Sequence, residues 1–234
     1  MKVILLAGGL GTRISEETET KPKPMVLLDD KPIVWHLMNI YATQGFTDFV
    51  IATGYLGHVI QEWVANLDTP WNVNALDTGS ETMTGGRIRK CMEFIGKERV
   101  FVTYGDGLAN INLQNLLSFH EHQGRLATVT AVRPPARFGV LESSNGLVTH
   151  FGEKRQADAG WINGGFFVLE PDVKKELNND TEPFETGALP RLVAREQLSA
   201  YHHADFWHPM DSLREKNELS SMAKLGKPPW LELL

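Results

Sequence analysis

Over the first 130 residues, short apolar runs alternate with helix-like segments, and this rhythm restricts the possible folds more than any other feature. Val3 to Ala7 is an unbroken apolar run that stops at Gly8-Gly9. Its length suits a strand buried in a parallel sheet better than a helix. Phe49 to Thr53 is again short and apolar and closes at Gly54, and Val73 to Leu76, Val100 to Tyr104 and Ala127 to Val132 read as strands. Between them, Ile33 to Gln44, Val59 to Asn66, Arg87 to Ile95 and Leu113 to His122 read as helices. Pro32 and Gly45 bracket the first helix, as expected for helix ends, and Gly124 stops the last. The alternation predicts an α/β fold with a doubly wound, mostly parallel, Rossmann-like sheet. Such sheets bind ligands beyond the carboxyl ends of their strands. The glycine clusters at 8–11 and 105–107 fall at strand ends, and that at 85–86 at a helix start.

After Pro134 the rhythm changes. Gly139 to Glu142 and Leu147 to Phe151 flank Ser143-Ser144-Asn145-Gly146, a hairpin signal. Phe166 to Leu169 and Leu198 to His202 read as strands. Asp172 to Leu177, Phe184 to Glu196 and Ser212 to Leu225 read as helices. The expectation is an antiparallel elaboration on one domain spanning 1–234, with a tail that docks through Trp230.

Composition excludes several classes. Hydrophobic residues are 42% and charged residues 22% of the 234, so a sizeable core can form and global disorder is excluded. The net charge of −6 gives no footprint for nucleic acid or an anionic membrane. The one cysteine, Cys91, precludes an intrachain disulfide and a multi-cysteine zinc site. No run approaches a membrane span, and the first residues lack a signal-peptide pattern. A cytoplasmic protein is expected, and a homo-oligomer on general grounds.

Leu6-Ala7-Gly8-Gly9-Leu10-Gly11-Thr12-Arg13 directly follows the first strand. It lacks the Gly-Lys-Ser/Thr of a P-loop, and Ile14 stands where the dinucleotide fingerprint needs a small residue. Bare backbone here can approach phosphate oxygens and offer N–H groups. Arg13 and Lys23, in Lys21-Pro22-Lys23-Pro24, would add positive charge. A tight turn requiring positive φ is the competing explanation for the glycines. Asp106 sits between two glycines at a strand end, and Asp211 precedes a helix; a turn aspartate and an N-cap are the plain alternatives. His202, His203 and His208 do not have the spacing of a known zinc site, so surface or packing roles are expected. His120 and His122 do not share a helix face and are expected to be solvated. His36 is expected in the core, and Cys91 is expected to be unreactive. Gly-x-Ser-x-Gly is absent, which removes support for serine hydrolase chemistry.

Gly8-Gly9-Leu10-Gly11-Thr12-Arg13 with Lys21-Pro22-Lys23-Pro24-Met25 resembles the signature of the sugar-1-phosphate nucleotidylyltransferases. The resemblance runs nearly end to end, through Trp71-Asn72-Val73, Asp77-Thr78-Gly79, Thr103-Tyr104-Gly105-Asp106-Gly107, Arg137-Phe138-Gly139, Ile162-Asn163-Gly164-Gly165 and Pro209-Met210-Asp211. Met83-Thr84-Gly85-Gly86-Arg87 resembles the glucose-1-phosphate cytidylyltransferase branch. The resemblance implies a Mg²⁺-dependent reaction of CTP with a sugar 1-phosphate, giving a CDP-sugar and pyrophosphate. It implies catalytic roles for Arg13 and Lys23. It implies nucleotide binding by Leu6, Ala7, Gly8, Gly9, Gly11, Thr12, Thr82, Gly85, Arg87 and Gly105. Sugar-phosphate binding would fall to Lys154, Asn163, Gly139 and Glu153, and Mg²⁺ to Asp106 and Asp211. Residues 1–132 would then form a nucleotide-binding half and 133–234 a sugar-binding half. Two departures stand out. Arg155-Gln156 replace the Pro-Lys that follows the family's Glu-Lys pair, and an extra stretch before Trp71 that helps relatives associate is missing. The same reaction with UTP, dTTP or a heptose phosphate is an alternative, as is a non-catalytic sugar-nucleotide sensor. A glycosyltransferase would want Asp-x-Asp where Gly105-Asp106-Gly107 stands.

Overall fold

The computed structural model describes residues 1–9, 11, 14–134, 139–144, 146–153 and 160–232. The chain opens with β1 (Lys2–Leu6), the short α1 (Ser15–Thr18), and the two-residue strands β2 (Leu27–Leu28) and β3 (Lys31–Pro32). It continues through α2 (Ile33–Ala42), β4 (Asp48–Thr53), α3 (Gly57–Ala65), β5 (Asn72–Asp77), α4 (Thr84–Ile95) and β6 (Val100–Tyr104). Then come β7 (Gly107–Ala109), α5 (Leu113–Gln123), β8 (Ala127–Val132), β9 (Gly139–Ser144), β10 (Leu147–Glu153) and β11 (Ile162–Leu169). The last elements are α6 (Ala188–Ala194), β12 (Leu198–His203), β13 (Trp207–Pro209) and α7 (Leu213–Ala223).

Seven strands form one sheet in the order β12-β8-β11-β6-β1-β4-β5. Only β11 runs antiparallel to its neighbours; β12–β8, β6–β1, β1–β4 and β4–β5 are parallel. Side chains alternate across the sheet. Val3 and Leu5 of β1 therefore join a core with α2, α5 and α7, whereas Ile4 and Leu6 join one with α4 and α6. Two buried faces explain why β1, β4 and β6 carry continuous apolar runs, Val3 to Leu6, Phe49 to Ala52 and Val100 to Val102, rather than alternating. The expected doubly wound sheet is present, and the hairpin expected near 139–151 is the separate β9–β10 pair. Among the described residues, no helix is long and apolar enough to cross a membrane.

Local chemistry sets the helix ends. Asn112 caps α5, its side chain accepting from the Asn115 N–H at 2.9 Å, and Gly124 closes the helix in the left-handed region. Trp230 is buried against His36 and Phe206, as expected for a docked tail.

Three expectations fail. The helix predicted from Phe184 begins only at Ala188, because the Thr84 hydroxyl takes the Phe184 N–H (2.8 Å) and holds that turn against α4. The helix predicted over Asp172 to Leu177 is a 3₁₀ turn, Pro171–Glu176. His120 is buried, not solvated: its ring bonds Thr128 Oγ1 at 2.8 Å and Glu170 Oε1 at 3.2 Å, while His122 is exposed. Its spacing from Leu113 and Leu116 puts it on the inner stripe of α5.

Candidate active site

The carboxyl ends of β1 and β6 open onto a cleft of about 710 Å³, within the usual size for a ligand site. Leu6, Gly8, Gly9, Gly11, Thr82, Arg87, Gly105, Asp106, Asn163 and Asp211, all expected in a site, line it. Ala7 and Lys23 line an adjoining cavity of about 260 Å³ with Gly9, Asp106 and Asp211. Thr12, Arg13 and Lys154 lie outside the described residues. Gly139 and Glu153 face each other in the β9–β10 register.

The glycines differ in their reasons. Gly11 has φ of +65°, the turn conformation that favours glycine, and Thr18 donates its hydroxyl to the Gly11 carbonyl (3.1 Å). Gly8 has no such backbone demand; a Cβ there would lie 2.2 Å from Arg87 Nη1. Arg87 is buried, donating from Nη2 to the Gly8 carbonyl (2.9 Å) and from Nη1 to the Thr53 carbonyl (2.8 Å) and Thr78 Oγ1 (2.5 Å). It also reaches the Ser80 carbonyl at 3.3 Å. Burial lowers its pKa. Arg87 thus ties the glycine turn to the 78–84 segment from beneath. Gly85 is absent from the cleft lining; its Cβ would lie 2.6 Å from the Glu182 carbonyl.

The segment opposite the glycine turn is itself held in place. Lys90 donates to the Thr78 carbonyl (2.9 Å) and to Thr82 Oγ1 (3.2 Å) and pairs with Asp180 at 2.8 Å. The Met83 N–H donates to the Asp180 carbonyl at 2.7 Å. Ser80 to Thr84 therefore form one fixed wall of the cleft.

Lys23, Asp106 and Asp211 meet despite their separation in sequence. Lys23 opens a 3₁₀ turn, Lys23–Met25, set by Pro22 and Pro24. Asp106 occupies the turn between β6 and β7, and its carbonyl accepts the Met210 N–H at 2.8 Å. β7 pairs with β13, which delivers Asp211. Ser212 caps α7 and Glu215 reaches back to the Asp211 N–H (2.7 Å), fixing the approach of that aspartate. Lys23 Nζ lies 2.6 Å from Asp106 Oδ2 and 2.8 Å from Asp211 Oδ1. Burial pulls the Lys23 pKa down, but the two carboxylates outweigh it and hold the ammonium above its usual value. Among the described residues, two carboxylates thus converge on one ammonium.

That donor set fits a hard divalent cation. Mg²⁺ is held by one or two protein carboxylates plus phosphate oxygens and water, rather than by a full protein cage. Among the described residues no group of three or more metal-ligating side chains gathers. His202, His203 and His208 form no centre: the first packs on Trp161, the second bonds the Phe206 carbonyl and the third lies 3.2 Å from Glu218. Cys91 is buried, its thiol pushed up to about 12 by desolvation, as expected for an inert residue.

Several lining residues carry no role in the sequence reading. Tyr104 and Trp207 wall the cleft beside Asn163, and Trp207 Nε1 donates to the Gly164 carbonyl at 2.9 Å. Tyr104 and Thr84 stand inside the family-like segments Thr103-Tyr104-Gly105-Asp106-Gly107 and Met83-Thr84-Gly85-Gly86-Arg87, but no spacing rule gives either a role of its own.

The profile of the nucleotidyl transferase family matches residues 2–217. The chain is 43% identical over 253 aligned residues to glucose-1-phosphate cytidylyltransferase of Salmonella typhi, covering 98% of each. It is 39% identical to a probable glucose-1-phosphate cytidylyltransferase of Bacillus subtilis, covering 98% of this chain and 99% of the other. Both alignments are longer than the 234 residues here, so these relatives carry stretches that this chain lacks. Among solved structures, HddC from Yersinia pseudotuberculosis complexed with GMP-PN superposes with a TM-score of 0.73 at 22% identity, covering 94% of this chain and 98% of that one. The glycine turn, the carboxylate pair and these likenesses agree: the chain belongs to the nucleotidyl transferase family, as an enzyme similar to the glucose-1-phosphate cytidylyltransferases.

Proposed function

We propose that the protein transfers a cytidylyl group from CTP to α-D-glucose 1-phosphate, giving CDP-glucose and pyrophosphate. A phosphate oxygen of the sugar phosphate bonds to the α-phosphorus of CTP, and the bond from that phosphorus to the oxygen bridging to the β-phosphate breaks. The nucleophile is already an anion, so no general base is required. Catalysis reduces to alignment and neutralisation of charge. The observation that carries the reading is Lys23 held between Asp106 and Asp211 beside the glycine turn.

Lys23 supplies a fixed cation for phosphate oxygens. The turn from Leu6 to Gly11 and the wall from Ser80 to Thr84 bound the nucleotide side, and Asn163 faces the sugar phosphate. Asp106 and Asp211 would hold Mg²⁺, which when bound neutralises charge on the phosphates. By resemblance, Arg13 and Lys154 complete the cationic lining, Thr12 belongs to the nucleotide side, which Gly85 backs without lining it, and Gly139 and Glu153 belong to the sugar side. On this reading 1–132 form the nucleotide half and 133–234 the sugar half of one domain, with Asp211 crossing to the shared centre.

Pyrophosphate release measured with each of CTP, UTP, dTTP and GTP against a panel of sugar 1-phosphates tests the assignment. CTP with glucose 1-phosphate is expected to give the highest kcat/KM. A higher value with another nucleotide would reassign the substrate, and binding without turnover for every pair would mark a sensor instead.

A further inference from the structure

Behind the cleft wall, Glu185 joins the two sides of the site without lining it. Its Oε1 accepts the Tyr104 hydroxyl at 2.5 Å and its Oε2 accepts the Thr84 hydroxyl at 2.7 Å. The Thr84 oxygen already accepts the Phe184 N–H, so its own proton must go to Glu185. The Tyr104 proton is likewise committed, which leaves its oxygen as an acceptor for Asn163 Nδ2 at 3.1 Å. Asn163 Oδ1 accepts the Gly165 N–H at 2.9 Å. The amide is therefore oriented, and Asn163, which lines the cleft, has one N–H left to offer. Gly165, with φ of +84°, backs onto the Tyr104 ring; a Cβ there would sit 2.5 Å from Tyr104 Cδ2. Burial, reinforced by the Glu185 charge, keeps the Tyr104 phenol protonated.

We propose that Glu185 is a positioning residue: as a double acceptor it fixes the donor direction along Tyr104 and Asn163, so that Asn163 presents a single N–H to an oxygen of the sugar phosphate. The assignment of that oxygen rests on the function proposed above; the orientation of the amide does not. A carboxylate is required because both neighbours donate. A glutamine side chain in its place would offer one acceptor and one donor, so one of the two hydroxyls would have to turn. If Tyr104 turned, it would donate toward Asn163 and oppose the amide.

Glu185→Gln is expected to raise KM for the sugar 1-phosphate about tenfold and to change KM for CTP less than twofold. Tyr104→Phe keeps the ring that Gly165 packs on and is expected to raise the same KM, so the test survives if Glu185→Gln folds poorly. The double variant should be no worse than the more impaired single variant. An unchanged KM for the sugar phosphate, equal rises for both substrates, or additive effects would overturn the positioning role. Side-chain amide NMR reads the orientation without turnover. One protected Asn163 proton is expected in the wild type and its loss in Glu185→Gln; equal protection in both would overturn the proposal. Loss of that protection in Glu185→Gln, alongside a wild type that keeps it but shows no turnover, would overturn the functional reading alone.

Discussion

Gly8→Ala isolates the contact on which the shape of the glycine turn depends. The new methyl would stand 2.2 Å from Arg87 Nη1, 2.3 Å from Cζ and 2.8 Å from Nε. Arg87 cannot swing aside freely. Its nitrogens are bonded to the carbonyls of Gly8, Thr53 and Ser80 and to Thr78 Oγ1, and Gly54 confines its other side, where a Cβ would also lie 2.5 Å from Nη1. Overpacking costs about 1–3 kcal/mol, and loss of one bond from a charged donor about 1.5–3 kcal/mol. Allowing for partial relaxation, the cost is about 3 kcal/mol, or roughly 6–12 °C in Tm for a chain of this size. Gly9→Ala is the internal control. Nothing lies within 4 Å of its Cβ, and its φ is not positive, so its stability should change by less than about 1 kcal/mol. Thermal and urea unfolding of Gly8→Ala, Arg87→Ala and the double variant close the cycle. In the Arg87→Ala background the added methyl should cost less than about 1 kcal/mol. A Gly8→Ala protein as stable as wild type, or an undiminished cost once the guanidinium is gone, would refute the argument.

Asp106→Ala should remove most turnover while leaving Tm within a few degrees, since Lys23 keeps its contact with Asp211; unchanged kcat would refute the role of the carboxylate pair. His120 tests a pH dependence: burial holds its pKa below the ordinary value, so the unfolded chain binds the proton more readily. Stability should therefore fall as pH drops through ~6.5, with His36 adding the same sign, and His120→Gln should flatten the slope measured by urea unfolding. An unchanged slope would contradict this.

The centre of the sheet is legible because β1, β4 and β6 carry apolar runs that lead into Gly8, Gly54 and Gly105, a pattern that local sequence carries without reference to distant contacts. Residues that meet only through the fold are not. β7 and β13 are three-residue strands, one ending in proline, yet their pairing brings Asp211 to Asp106. The lead-in to α6 reads as helix until the Thr84 hydroxyl, at the start of α4, captures the Phe184 N–H. The relation of His120 to His122 misleads, whereas its spacing from Leu113 and Leu116 already places it inside. The motif residues Lys23, Asp106 and Asp211 are legible as chemistry, but their convergence on one ammonium is not. Glu185 has no sequence signal, because its partners Tyr104 and Thr84 lie on other elements and their selection depends on donor direction rather than spacing.

The central claim is that this carboxylate-and-lysine centre serves cytidylyl transfer. Its most direct test is the mass of the product formed from CTP and α-D-glucose 1-phosphate in the presence of Mg²⁺. The expected result is CDP-glucose and pyrophosphate in equal amounts, abolished by a chelator. Recovery of both substrates unchanged, with no nucleotide sugar from any nucleoside triphosphate, would contradict it.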